Sequence, residues 1–103
     1  MDRGATSNCI FVFPDGVEFD DIEKIELSVR GDISGVRLTK TGPDLCFMED
    51  RRAAVFFAQE ETLMFEDNET VRMQWRWRES NGSVRVSRII TINISEFLGQ
   101  GSI

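Results

Sequence analysis

Val71 to Ile94, VRMQWRWRESNGSVRVSRIITINI, decides the fold class of this chain. Apolar Val71, Met73, Trp75 and Trp77 alternate with polar neighbours, and apolar residues resume at Val84, Val86, Ile90, Ile92 and Ile94. A period of two marks a strand with one buried face. Asn81-Gly82 between the runs is the dipeptide of a type I′ turn, whose two central positions both need positive φ. The reading is a β-hairpin in an antiparallel sheet with one face on a core. A two-residue turn sets Trp77 opposite Val86, Met73 opposite Ile90 and Val71 opposite Ile92 on the core face. On the other face it sets Arg78 opposite Arg85, Arg76 opposite Ser87 and Arg72 opposite Thr91. Like charges directly opposite are unfavourable, so Arg78 and Arg85 need neighbouring acids or an anionic partner. Neighbouring acids are the simpler expectation in a chain with 18 of them. Arg88 falls inward by parity, opposite Trp75. Either it stacks on the indole, or a bulge near Ser87–Arg88 shifts the register, and the bulge is preferred because it would also turn Ile89 inward.

Working outward, turn signals divide the rest of the chain into short apolar segments. Asn8 to Phe13 ends at Pro14-Asp15-Gly16, each residue of which favours a turn. Ile25, Leu27 and Val29 alternate with Lys24, Glu26 and Ser28, which reads as a strand in preference to a helix begun at Asp21. A loop at Gly31–Gly35, a strand at Val36–Thr41 and a turn at Gly42-Pro43-Asp44 follow. Leu45–Met48 and Ala53–Ala58 complete the strands, and Gln59–Phe65 reads as a short helical crossover. Ser95 is expected to cap a terminal turn through Phe97. About seven short strands at this spacing predict a mostly β chain, an immunoglobulin-like antiparallel sandwich, since so apolar a hairpin needs a second sheet to cover it. At 103 residues the expectation is a single domain over 1–103, with residues 1–8 flexible.

Composition narrows the function classes. The chain is 41% apolar and 29% charged, with eight Phe and two Trp, enough to bury a core and to argue against disorder. No apolar run is long enough to span a membrane, and residues 1–8 lack the apolar centre of a secretory signal. The expected location is the cytoplasm in which the chain is made. Cys9 and Cys46 are expected to be two buried free thiols. The net charge of −6 is unevenly spread: residues 1–70 carry 16 acids and 7 bases, whereas residues 71–88 carry five arginines and Glu79. The acidic bulk argues against general nucleic-acid binding.

The chain has no histidine, which removes the commonest general base and the commonest neutral metal ligand. No CxxC pair, phosphate loop or GxGxxG stands in its place. Asp15, Glu18, Asp20 and Asp21 match no calcium loop and read as a solvated acidic turn. Trp75 and Trp77 could form a sugar platform only if they faced outward, and their alternation places them in the core. The expectation is therefore no enzyme, no metal and no cofactor.

Gln59–Phe65 (QEETLMF), Met73–Arg78 with Asn81-Gly82, and Ser87–Ile94 together resemble a pattern in small prophage-borne proteins encoded among phage tail or other virion genes. Their shared grammar is an "LTQEETL-F" crossover, a "VQVRV…DG" hairpin and an "S-I-TV-V" last strand. The resemblance covers residues 20–98. Phe57-Ala58 replaces the Leu-Thr of that pattern, and Asn-Gly replaces Asp-Gly. It implies a β-sandwich of virion structural or accessory type, a tail, baseplate or connector subunit, with no catalytic residues to carry over. The expected partners are other virion proteins or further copies of the chain, through Arg72, Arg76, Arg78 and Arg85 on one side and Asp15, Glu18, Asp20 and Asp21 on the other. An acidic inhibitor of a host nuclease, mimicking nucleic acid, is the alternative, and a sugar-binding module a remote one.

Overall fold

The alternating segments pair as two antiparallel sheets in a computed structural model that describes residues 1–99, Gly101 and Ile103. In chain order the strands are β1 (Ser7–Val12), β2 (Ile22–Gly31), β3 (Arg37–Lys40), β4 (Leu45–Met48), β5 (Arg52–Phe57), β6 (Thr70–Glu79), β7 (Val84–Val86) and β8 (Ile90–Asn93). The smaller sheet has the order β1-β5-β4 and the larger β3-β2-β6, with β7 and β8 both paired to β6. β7 and β8 are two halves of one interrupted strand, so the layout is a three-on-four β-sandwich, as the strand spacing predicts. One strand departs from the immunoglobulin constant order, in which the second strand lies between the first and fifth. Here β2 lies between β3 and β6, and β1 pairs directly with β5.

The inward residues of both sheets form the core. Leu27, Val29, Val71, Met73, Trp75 and Trp77 from the larger sheet meet Phe11, Ala53, Val55 and Phe57 from the smaller, with Phe13 beyond the end of β1. Aromatic rings fill one end. Phe13 stacks on Trp77 at 5.4 Å between centroids and meets Trp75 edge-on at 5.1 Å, while Phe11 meets Trp75 edge-on at 5.3 Å. Such pairs add to simple area burial. With Trp75 and Trp77 1% and 4% exposed, neither is an outward sugar platform.

The decisive hairpin is built differently from the two-residue turn. Its loop is Ser80-Asn81-Gly82: the Glu79 N–H donates to Ser83 O at 2.8 Å and the Gly82 N–H to Glu79 O at 2.9 Å. Gly82 has φ +89°, whereas Asn81 is not among the residues with positive φ. This is a type I turn closed by a glycine bulge, the usual three-residue hairpin loop. The Asn81 side chain completes it by accepting the Ser83 N–H at 2.9 Å.

One extra loop residue shifts the register. Trp77 lies opposite Arg85, Arg76 opposite Val86 and Arg78 opposite Val84, so the expected Trp77–Val86 and Arg78–Arg85 pairs do not form. Farther along, Met73 faces Ile90, Arg72 faces Thr91 and Val71 faces Ile92, as the sequence predicts. The registers are reconciled by a bulge at the expected place. The Ser87 N–H donates to Trp75 O, which leaves Arg88 and Ile89 together opposite Gln74. Ile89 nevertheless turns outward, 53% exposed. Since a one-residue slip reverses every side chain, β7 points Val84 and Val86 to solvent and Arg85 toward the inner face.

Three further expectations change. Residues 1–5 are hydrogen-bonded rather than loose: the Met1 ammonium donates to Asn93 O, Arg3 donates to Phe65 O and Leu63 O, and the Gly4 N–H donates to Thr62 Oγ1. Ser95 caps no helical turn; it bridges Asp2 in parallel and its hydroxyl bonds the Asp2 carboxylate at 2.8 Å. Both cysteines are free, but Cys46 is exposed and Cys9 only half-buried. β5 lies between their strands, and Cys9 pairs with inward Val55 while Cys46 pairs with outward Ala54. They therefore sit on opposite faces of the sheet, which precludes a disulfide between them.

Candidate functional site: an arginine face on the larger sheet

The inward parity of Ile25, Leu27 and Val29 sends Lys24, Glu26, Ser28 and Arg30 to the outer face of β2. The same parity sends Arg72, Gln74, Arg76 and Arg78 outward on β6, and Arg37 and Thr39 outward on β3. Antiparallel pairing then lines these residues up in rows. Arg37, Arg30 and Arg72 stand side by side across β3, β2 and β6. Ser28 lies between Thr39 and Gln74, Glu26 opposite Arg76, and Lys24 opposite Arg78.

Arg72 bonds Asp32 at 3.1 Å, and Arg76 pairs with Glu26. Among the described residues Lys24, Arg30, Arg37 and Arg78 form no ion pair. Six cations thus share a face whose own strands contribute only Glu26. Direct cross-strand neighbours of like charge are destabilising. The Arg37–Arg30–Arg72 row therefore sets like charges directly opposite one another on neighbouring strands. Those three arginines, with Ser28, Thr39 and Gln74, line a shallow depression of about 330 Å³. Guanidinium groups in this arrangement suit bidentate binding of carboxylate or phosphate oxygens.

Of the residues singled out in the sequence, Arg72, Arg76 and Arg78 meet on this face. Arg85 does not, because the register shift turns it to the inner side, where it bonds Glu79 at 3.1 Å. Asp15 pairs with Arg51 away from the face. Glu18, Asp20 and Asp21 are exposed around the 3-10 turn Phe19–Asp21 that leads into β2, beside the hairpin tip, where the Ser80 N–H donates to Asp21 O at 2.7 Å. The acids form one end of the molecule and the arginines one face. Lys24, Arg30 and Arg37 escaped the sequence reading. Their outward parity was legible, but their neighbours depend on β2 lying between β3 and β6.

The carboxylates are spread over several strands, turns and the helix. Six of them are tied in ion pairs on separate elements: Asp15, Glu26, Asp32, Glu61, Asp67 and Glu79. Among the described residues no group of three or more His, Cys, Asp or Glu is placed to hold a metal, and no helix is long and apolar enough to cross a membrane. Neither family models, curated proteins nor solved structures gave a match to this chain.

Proposed function

We propose that this chain is a non-enzymatic interaction module, a subunit of a protein assembly that docks through the outer face of its larger sheet onto a carboxylate-rich surface. The observation that carries the reading is the Arg37–Arg30–Arg72 row, three arginines side by side of which, among the described residues, only Arg72 is neutralised by an ion pair. A surface that places like charges together at a cost to stability is explained by a partner that supplies the counter-charge. The acidic end at Glu18, Asp20 and Asp21 makes a second copy of the chain the fitting partner. Face-to-end contact between copies is heterologous and builds rings or filaments.

The outer face of the smaller sheet supports the same reading. Ile10, Val12 and Phe56 are 57%, 68% and 43% exposed there, beside Cys46 and Met48. An antiparallel sheet normally keeps one face polar, and exposed apolar patches mark contact sites. A subunit covered on both outer faces accounts for both surfaces. The resemblance to prophage-borne proteins suggests the setting, a virion structural or accessory component.

Light scattering over a concentration series at low and high salt tests the proposal. A discrete oligomer is expected that dissociates with salt and is lost in the double variant R30E/R37E. A monomer at all concentrations, or an oligomer indifferent to both salt and the double variant, would overturn it. Binding of duplex DNA at physiological salt that outcompetes self-association would overturn it as well.

A further inference from the structure

The strand edges of the two sheets are protected unequally. An open edge is a template for pairing, and proteins blunt it with charge, brevity, bulges or a covering segment. β3 carries Arg37 and Lys40. β4 is four residues long and runs into Glu49-Asp50. β7 is three residues long and ends at the Ser87 bulge. Met1 covers the edge of β8: its ammonium donates to Asn93 O and its carbonyl accepts the Ser95 N–H. β1 has none of these devices. Its sequence SNCIFV is six residues without charge, proline or glycine, paired on one side only.

The open side of β1 follows from its register. The Phe13 N–H donates to Arg51 O at 2.8 Å, and the pairing with β5 runs unbroken from Ser7 to Val12. In an antiparallel pair, alternate residues turn both N–H and C=O to the partner strand. Ser7, Cys9 and Phe11 therefore face β5. The N–H and C=O groups of Asn8, Ile10 and Val12 face away from it and have no partner among the described residues.

What lies beside that edge decides the occupant. Phe11 and Phe13 pack on Trp75 and Trp77, so β1 lies over β6, and the larger sheet continues past it into β7 and β8. The smaller sheet is one strand short on this side. A cleft of about 780 Å³ runs along the step, with Phe13 and Pro14 on one side and Arg85, Ser87 and Arg88 on the other. A second sandwich pairing through its own β1 would need its β6 where β7 stands, whereas a single extended segment would not. No carboxylate lines the cleft; Arg85 is held by Glu79, and Arg88 forms no ion pair among the described residues.

We infer that β1 accepts an added strand, an extended peptide segment in which acidic and apolar residues alternate. Its backbone pairs with Asn8, Ile10 and Val12, beside the aromatic rings, which stay packed as they are. Side chains in line with Cys9 and Phe11 turn to the inner side, toward Arg88, and are acidic. Those in line with Ile10 and Val12 join the exposed apolar outer face. This site is separate from the arginine face and does not depend on it.

The probe is a fluorescein-labelled peptide of four Val-Glu repeats, titrated by fluorescence polarisation at physiological salt, with four Val-Lys repeats as the control. The Val-Glu peptide is expected to bind saturably and about tenfold tighter than the control. Ile10→Pro removes an outward N–H, a change an edge strand accepts on its solvent side, and should weaken the Val-Glu peptide about tenfold. Far-UV circular dichroism verifies that this variant folds. Arg88→Glu, at an exposed position outside the strands, should erase the preference for Val-Glu over Val-Lys. No saturable binding, equal binding of the two peptides, or full Val-Glu binding by folded Ile10→Pro or by Arg88→Glu would overturn the inference.

Discussion

Glu69 and Ser34, 35 residues apart in the chain, hold the β2–β3 loop closed. One oxygen of the fully buried Glu69 carboxylate accepts the N–H groups of Ile33 and Ser34, each at 2.6 Å, and the Ser34 hydroxyl at 3.0 Å. The other oxygen accepts the Glu66 N–H at 2.8 Å. The backbone around Glu69 is anchored too, since the Ile94 N–H donates to Glu69 O and the Asp32 N–H to Thr70 O. A buried charge persists only when its lone pairs are satisfied, and four donors satisfy this one without a cation. The clamp fixes the loop between Arg30 and Arg37 and therefore the geometry of the arginine row.

Glu69→Gln should destabilise the protein by about 2–4 kcal/mol, measured as a drop in the urea midpoint at pH 7. The amide keeps one acceptor oxygen but turns an NH₂ group toward a backbone donor, so at least one hydrogen bond becomes a donor–donor clash. An unchanged midpoint would refute the clamp.

Acid should weaken the fold through the same group. Burial pushes the Glu69 carboxyl up, but the N–H groups of Ser34, Glu66 and Ile33 and the Ser34 hydroxyl outweigh it and hold the carboxyl below its ordinary value of 4.5. Glu61 is shifted the same way: burial raises it, and the Lys40 ammonium with the Ala58 N–H lowers it further. A carboxyl with a lowered folded pKa contributes stability that is full above the unfolded value and lost as pH falls through the folded one. Denaturation midpoints should hold steady at neutral pH and fall below about pH 5. In Glu69→Gln the acid slope should be shallower, because one of the two groups no longer titrates.

Gly31→Ala should cost about 1–3 kcal/mol in chemical denaturation, although the backbone of Gly31 is not in the left-handed region. A Cβ there would press on the Ser34 hydroxyl oxygen and lie 2.5 Å from Glu69 Oε1 and 2.8 Å from its Cδ, and that carboxylate is pinned by four donors. Combining Gly31→Ala with Glu69→Ala should cost less than the sum of the two, since the carboxylate is then gone and the Ser34 hydroxyl loses the acceptor that holds it in place. Gly35→Ala in the same loop acts through φ +72° alone, with nothing within 4 Å of the added carbon, and should be additive with Glu69→Ala.

Arg37→Glu should raise stability while abolishing docking. Arg37 faces Arg30 directly, so the reversal turns a repulsive cross-strand pair into an attractive one worth about 0.2–1 kcal/mol. A variant with a higher melting temperature that no longer self-associates in light scattering would mark the row as kept for binding. A destabilised Arg37→Glu variant would show that the arginine is structural.

Much of the molecule was legible because side-chain parity is local. The alternation in β2 and β6 named the buried Leu27, Val29, Val71, Met73, Trp75 and Trp77, and an arginine out of phase at position 88 announced the bulge. The turn was harder to read. Asn81-Gly82 suits a two-residue loop, yet the same dipeptide also closes a three-residue one, with Asn81 bonding Ser83 and only Gly82 at positive φ. That difference of one residue reversed β7 and separated Arg78 from Arg85.

The amino-acid sequence by itself determined that this chain pairs its segments as antiparallel strands, which residues each strand buries, and that histidine chemistry is absent, because these follow from composition and from a period of two along the backbone. Tertiary structure alone decided which strands beyond the β6–β8 hairpin are neighbours. Placing β2 between β3 and β6 brought Arg30 between Arg37 and Arg72 and set Glu69 under the β2–β3 loop. Contacts such as Ser34–Glu69, 35 positions apart, and Arg30–Arg72, 42 apart, depend on how the sheets share one core, and no local pattern encodes that choice.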